Sequence, residues 1–315
     1  MMGAFLVQAP GSYTTVQDKG RFGYQKMGIP VSGVLDSFAG SVANLLVGNP
    51  EDSAVLEITV TGPRLTFLRK IDVALAGAEM GATLNNQPVH CWESFRVSPG
   101  DILKMQQVKI GCRAYLAVSG GIEVPKVLGS RSTYVVGKLG GYHGRPLKKG
   151  DILRCGEGTL LDVPRRLPSA LIPRHSSEIV LRAIPGPQDD FFPEEGLSTF
   201  FKSEFTISTN ANRMGYRLQG PSIRQKENMP ASIISDPSIS GSVQIPADGQ
   251  PIILLGEQSM GGYTKIATVI STDIPKVAQA IPGNVIRFEE VTLETAYSLH
   301  MKQKKLMREI VRNVL

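Results

Sequence analysis

Leu56-Glu-Ile-Thr-Val-Thr61 alternates apolar and polar residues, and Arg113-Ala-Tyr-Leu-Ala-Val118 follows a similar pattern. Two further runs, Ile179-Val-Leu-Arg-Ala-Ile184 and Pro251-Ile-Ile-Leu-Leu255, are apolar, rich in β-branched residues and bounded by Gly or Pro. Such segments between turn residues are typical of β-strands. Their spacing favours barrels or sandwiches over alternating βαβ units. We therefore predict a mainly β fold.

Two other segments have helical spacing. Asp36 can cap a helix from Ser37 to Val47, which Gly48-Asn-Pro50 would end. Between Leu293 and Val314, apolar residues recur at intervals of three, four or seven, with basic residues between them. This pattern predicts an amphipathic C-terminal helix that packs on the body of the protein or on a partner.

The segment Asp162–Ser177 contains three prolines and several polar residues, as extended linkers do. We predict an N-terminal β domain with one short helix over residues 1–165. A second β domain is expected over 178–292, followed by the helix at 293–315.

Composition excludes several classes of protein. The chain has 315 residues, of which 42% are hydrophobic and 20% charged, so it can bury a core. It has no apolar run of 18 residues, no basic leader and no CxxC motif among its three cysteines. Four of its six excess positive charges lie after Met301. We therefore expect a cytoplasmic protein that binds neither nucleic acid nor membrane.

Several standard sites fail on their spacing. Gly262 stands where a phosphate-binding loop that starts at Gly256 needs lysine, and Glu257 stands where a serine elbow around Ser259 needs glycine. The four histidines are scattered, so no metal site is predicted. Lys104 lacks the flanking methionines of a biotinylated lysine, so no covalent cofactor is expected.

Four clusters combine glycine with more polar side chains than a turn requires. Guanidinium groups suit carboxylates, amides can both donate and accept, and glycine lets backbone N–H groups approach a ligand. Together the clusters indicate a site for a small amide or carboxylate, built from loops of two β domains. Their polar members are Gln17, Asp18, Arg21, Arg131, Arg213, Tyr216, Arg217, Gln244, Gln258 and Tyr263, with Gly261 and Gly262.

The ordered motifs resemble the allophanate hydrolase subunit 2 family from about residue 5 to 292. The motifs are Gln17-Asp-Lys-Gly-Arg21, Gly28-Ile-Pro-Val-Ser-Gly-Val-Leu-Asp36, Ser130-Arg-Ser-Thr-Tyr134, Pro185-Gly-Pro-Gln188, Arg213-Met-Gly-Tyr-Arg-Leu218, Gln244-Ile-Pro246 and Gly261-Gly-Tyr263. The sequence departs from the family pattern at Met260, where Thr is common, and at Thr264, where Pro is common. The resemblance implies two tandem β-barrel-type domains, at least one of them cyclophilin-like, and a B-type partner protein with which the chain forms a heteromer.

The resemblance also implies a function. The family includes the C component of bacterial ATP-dependent 5-oxoprolinase, a lactam hydrolase that opens 5-oxoproline to glutamate. Such a chain would be inactive or weak alone and would act with the B component and with an A component that uses ATP. One alternative is the carboxyltransferase part of a urea carboxylase or allophanate-type system, with biotin on another chain. Another is a non-enzymatic antagonist of a kinase-inhibitor partner.

Residue roles follow from the same resemblance. Asp18, Arg21 and Arg213 are the predicted catalytic residues. Asp18 and Arg21 would orient the lactam, whereas Arg213 and Arg217 would neutralise a carboxylate or oxyanion. Substrate binding is expected from Gln17, Arg131, Tyr216, Arg217, Gln244, Gln258, Gly261, Gly262 and Tyr263. This hypothesis requires the residues to converge in one cleft between the two domains.

Overall fold

The computed structural model describes residues 3–230 and 232–314. The chain forms two compact units. The first comprises the described residues of Met1–Arg21, Ser32–Arg174 and Met307–Leu315, and the second those of Phe22–Val31 and His175–Leu306. The main chain passes between the two units after Arg21, Val31, Arg174 and Leu306.

The first unit is mostly β. Its strands are β1 (Phe5–Ala9), β2 (Tyr13–Gln17), β3 (Val55–Thr59), β4 (Arg64–Phe67), β5 (Ile71–Glu79), β6 (Thr83–Leu84), β7 (Gln87–Pro88), β8 (Glu93–Val97), β9 (Ile102–Lys104), β10 (Ile110–Val118), β11 (Ile122–Glu123) and β12 (Ile152–Cys155). Seven of them form a sheet in the order β11-β12-β1-β4-β9-β6-β7, and five form another in the order β2-β3-β10-β5-β8. One apolar core holds side chains from both sheets, including Phe5, Phe67, Leu56 and Leu116.

Helix α1 (Ser37–Leu46) begins and ends close to where the sequence predicts. Oδ1 of Asp36 accepts a hydrogen bond from the Ala39 N–H at 2.9 Å, so Asp36 is the predicted cap. The Asp36 N–H donates to the hydroxyl group of Tyr115, which in turn donates to Oε2 of Glu57 at 2.9 Å. Side chains of the five-stranded sheet therefore fix the start of this helix.

The second unit contains a closed barrel in the order β13-β20-β17-β18-β15-β14-β21, together with a two-stranded ribbon, β16-β19. Phe200 stacks on Phe288 with ring centres 4.2 Å apart, in an aromatic cluster beside the barrel. The strands are β13 (Glu178–Pro185), β14 (Glu204–Ala211), β15 (Gly215–Gln219), β16 (Asp236–Pro237), β17 (Ser242–Ile245), β18 (Ile252–Leu254), β19 (Met260–Gly261), β20 (Thr264–Val269) and β21 (Val285–Glu290).

Three helices follow in this part of the chain: α2 (Glu194–Lys202), α3 (Ile274–Gln279) and α4 (Leu293–Val314). The predicted mainly β fold with a C-terminal helix is confirmed.

The sequence placed Phe22–Val31 in the N-terminal domain, but this segment belongs to the second unit. Gln25 Nε2 donates to the Ser238 carbonyl at 2.9 Å, and Ser259 Oγ donates to the Gly28 carbonyl at 3.1 Å. Among the described residues, no helix has the length and apolar composition to cross a bilayer.

Candidate ligand-binding site

Asp18 follows β2 directly and is 8% exposed. Its Oδ1 accepts from Ser130 Oγ at 2.5 Å, Ser132 Oγ at 2.6 Å and the Gly20 N–H at 2.9 Å, while its Oδ2 accepts from the Arg131 N–H at 2.5 Å. Burial raises the pKa of Asp18, but these four hydrogen bonds outweigh it, so the pKa lies below its ordinary value. Asp18 is therefore an ionised carboxylate that holds the loop at residues 130–132.

Gln17 and Arg21 bind neighbouring parts of the same loops. Gln17 Nε2 donates to the Thr133 carbonyl at 3.2 Å, and Gln17 Oε1 accepts from the Gly33 N–H at 3.2 Å. Arg21, which is 1% exposed, donates to Ser32 Oγ at 3.2 Å and to the Ser132 carbonyl. These three predicted site residues join β2 to the loops around residues 33 and 130–133.

A glycine-rich segment packs on this cluster. Gly140 has φ of +64°, and a Cβ atom there would overlap the Ser132 carbonyl and Nη2 of Arg21. Glycine alone adopts this positive φ readily and has no Cβ atom to make the overlap. Arg131 Nε donates to the Val124 carbonyl at 3.1 Å, so its side chain is anchored beside the same loop. The cluster formed by Gln17, Asp18, Arg21 and Arg131 is thus one connected group within the first unit.

The second unit contains a separate polar cluster on its barrel. Gln244 in β17 and Lys265 in β20 are cross-strand partners, so their side chains lie on the same face of the sheet. Gln244 is 3% exposed, and its Nε2 has no hydrogen-bond partner in the described part of the chain. Gly261 in β19 lies against this carboxamide, because a Cβ at residue 261 would overlap Nε2.

Lys265 is the second member of this cluster. Its side chain is 4% exposed, and its Nζ lies 2.8 Å from Oδ2 of Asp236, whose side chain is 53% exposed. The Lys265 N–H donates to Oε1 of Gln188, in the predicted Pro185–Gln188 motif, at 3.1 Å. The structure therefore places a buried cation on the same face of the sheet as the unpaired amide nitrogen of Gln244. We name Gln244, Lys265, Asp236 and Gly261 the barrel cluster.

The other predicted residues of the second unit have diverse surroundings. Arg213 Nε lies 2.5 Å from Oε1 of Glu257, and both side chains are buried. Tyr216 is buried, and its hydroxyl group donates to the Ala280 carbonyl at 3.2 Å. Arg217 pairs with Asp248 near the surface, Gln258 Nε2 donates to the Met260 carbonyl, and Tyr263 is partly exposed beside Gly262. The predicted roles of these residues in catalysis and substrate binding stay predictions.

Comparison with known proteins identifies the family. Residues 27–290 match the carboxyltransferase domain, subdomain A and B. The chain belongs to this carboxyltransferase domain family. The family relationship proposed from the sequence motifs is therefore confirmed.

Relatives within this family differ in length. The chain is 36% identical to the C component of 5-oxoprolinase from Haemophilus influenzae, and the match covers 96% of each chain. It is 35% identical to urea amidolyase of Lachancea kluyveri, but it spans only 18% of that protein. The crystal structure of Kluyveromyces lactis urea carboxylase matches with a TM-score of 0.92 and 35% identity, over 99% of this chain and 29% of that one.

Sequence reasoning missed several members of both clusters. The Lys265–Asp236 pair was absent from the prediction, and Ser130 and Ser132 were quoted as part of a motif without their role, which is to bind Asp18. One signal was present, since Lys265 interrupts an otherwise apolar or hydroxyl-bearing run, Thr264–Val269. A lysine in such a run is buried only if an acceptor faces it. The position of that acceptor, 29 residues earlier in the chain, has no local signature.

Proposed function

We propose that this chain is the C component of a bacterial ATP-dependent 5-oxoprolinase, a cytoplasmic complex that opens 5-oxoproline to glutamate. The observation that carries the proposal is the match to the 5-oxoprolinase C component over 96% of both chains, which are therefore of nearly equal length. The chain would act with a homologue of the B component, while an A component would use the ATP.

The barrel cluster suits such a substrate. A lactam ring presents a carbonyl oxygen and an N–H group, and 5-oxoproline adds a carboxylate. Gln244 supplies an unpaired amide donor, and Lys265 supplies a cation whose side chain is 4% exposed. Hydrogen bonds to charged groups are stronger than hydrogen bonds between neutral groups, and burial strengthens them further. In the first unit, the Asp18–Arg21 cluster would position the loop that carries Arg131.

Reconstitution tests this proposal. The chain is to be co-expressed with the homologues of the A and B components from its own genome, and ATP hydrolysis and glutamate formation are to be measured together. We expect 5-oxoproline to stimulate ATP hydrolysis only when all three chains are present. An assembled complex that forms no glutamate from 5-oxoproline would refute the proposal.

A second candidate is biotin-dependent carboxyl transfer to urea or a related amide. The TM-score of 0.92 with urea carboxylase favours it. Here carboxybiotin would come from another chain. Urea-dependent ATP hydrolysis in the presence of a biotin carboxylase and a biotinylated carrier, abolished by avidin, would support this candidate, and avidin-insensitive turnover of 5-oxoproline would exclude it.

A further inference from the structure

We propose that Lys265 and Gln244 form a carboxylate subsite, and that the carboxylate of the substrate takes the place of Asp236 on Lys265. The proposal rests on the proposed function, because it assigns one part of that substrate to named residues. It also separates carboxylate-bearing lactams from neutral amides such as urea.

The four residues of the barrel cluster are linked in a closed ring of contacts. Gln244 and Lys265 are partners across β17 and β20, and Asp236 and Gly261 are partners across β16 and β19. Lys265 binds Asp236, and Gln244 abuts Gly261. The β16–β19 ribbon therefore lies over the strand pair at both points, with the Lys265 ammonium and the Gln244 amide beneath it.

The Lys265–Asp236 pair is asymmetric in burial. The lysine side chain is 4% exposed, whereas the aspartate side chain is 53% exposed. A buried ammonium group needs an anion beside it, but a carboxylate that is half in water loses little when it leaves its partner. A substrate carboxylate that arrives at Lys265 can thus displace Asp236, which returns to solvent. The buried cation has an anion beside it both before and after the exchange.

Gln244 supplies the second contact. Its Nε2 is buried and has no acceptor within the described chain, although buried polar groups are almost always satisfied. A ligand oxygen next to Lys265 would accept from this nitrogen. Gly261 keeps the ribbon close to the amide, and at Gly262 an added Cβ would meet only the Ile233 carbonyl at 3.2 Å and the Ser235 hydroxyl. The ribbon therefore closes tightly at residue 261 and leaves more space at residue 262.

The charge of Lys265 and the amide donor of Gln244 determine which class of ligand the subsite binds. A cation whose anion can be exchanged recognises a carboxylate, and the adjacent donor recognises one of its oxygens or the neighbouring carbonyl oxygen. A neutral amide cannot displace Asp236, because it brings no charge to compensate Lys265. The subsite therefore favours 5-oxoproline over 5-oxoprolinamide and 2-pyrrolidinone.

Direct binding tests the subsite. The assembled complex, as wild type and as Lys265→Met, is titrated by calorimetry with 5-oxoproline and with 5-oxoprolinamide. We expect the wild type to bind the acid about 10-fold more tightly than the amide, and Lys265→Met to lose this preference. Lys276→Met is the matched control, because Lys276 also pairs with an aspartate, Asp273, at 3.1 Å in the same unit. It should keep the full preference.

The Asp236→Asn variant is an independent test of the subsite, because it leaves Lys265 in place. Removal of the competing carboxylate should tighten 5-oxoproline binding several-fold and leave binding of the amide unchanged. A Lys265→Met complex that retains the preference, or an Asp236→Asn complex that binds 5-oxoproline more weakly, would overturn the subsite. These experiments measure binding and do not depend on turnover. A complex that binds the acid selectively but forms no glutamate would refute the proposed function and leave the subsite supported.

Discussion

Nε of Arg213 lies 2.5 Å from Oε1 of Glu257, and both side chains are about 95% buried. The pair joins the turn that precedes β15 to the loop that follows β18, and the Glu257 N–H also donates to the Arg213 carbonyl. The guanidinium expected to neutralise a substrate is thus already partnered by a buried carboxylate. Loss of activity on substitution of Arg213 would therefore combine structural and chemical effects.

Arg213→Ala should lower the free energy of unfolding by about 3–5 kcal/mol, because it leaves the Glu257 carboxylate buried without its charge partner. Urea unfolding followed by circular dichroism measures this. The matched control is Arg217→Ala, which breaks the more exposed pair with Asp248 and should cost at most about 1 kcal/mol. Equal losses in the two variants would show that burial of the Arg213 pair has no energetic consequence.

Asp18→Asn should destabilise the first unit at neutral pH and less so in acid. The folded pKa of Asp18 lies below its ordinary value of 3.8, so the ionised group stabilises the fold above that pH. This contribution falls as the pH drops below 3.8 toward the lower folded pKa. Unfolding of wild type and variant should be compared at pH 7 and pH 3, with Asp52→Asn, at an exposed position, as control. A difference between wild type and Asp18→Asn that grows in acid would contradict the assignment.

Gly140→Ala should be more harmful than Gly129→Ala. Both glycines have positive φ, so each alanine variant incurs a conformational cost of about 1–2 kcal/mol. Only at residue 140 would the added Cβ also overlap the Ser132 carbonyl and Arg21, whereas at residue 129 it meets nothing within 4 Å. Thermal unfolding of the two variants measures the extra cost. Similar losses would show that the Gly140 segment does not need to pack closely on Arg21.

The Cys91 thiol should resist alkylation at pH 8. Burial, with a smaller contribution from the charge of Glu79, raises its pKa to about 12. Because the thiolate is the reactive form, iodoacetamide should modify Cys91 far more slowly in the folded protein than in urea. Peptide mass spectrometry follows the reaction at this residue. Rapid modification of the folded protein would show that Cys91 is not held in the protonated form.

Local sequence patterns were sufficient to predict much of the fold. Alternation around Leu56–Thr61 predicted a strand, and β3 occupies Val55–Thr59. Asp36 was predicted as a helix cap, and its carboxylate binds the Ala39 N–H. Period-two alternation and capping depend on residues only a few positions apart, so a single sequence contains the whole signal.

The candidate site was predictable only in part. Glycine-rich motifs pointed to Gln17, Asp18 and Gln244, because these motifs hold more polar side chains than a turn requires. The same motifs gave no indication that Asp18 would be bound by two serines more than 100 residues away.

The sequence by itself determined the mainly β architecture, the capped helix α1, the amphipathic helix α4 and the family. Tertiary structure alone decided that Phe22–Val31 joins the second unit, that Glu257 neutralises Arg213 and that Asp236 meets Lys265. The physical reason is the separation along the chain. Strand and helix signals depend on residues close together in the sequence, whereas a buried charge is paired only when the fold brings distant segments together.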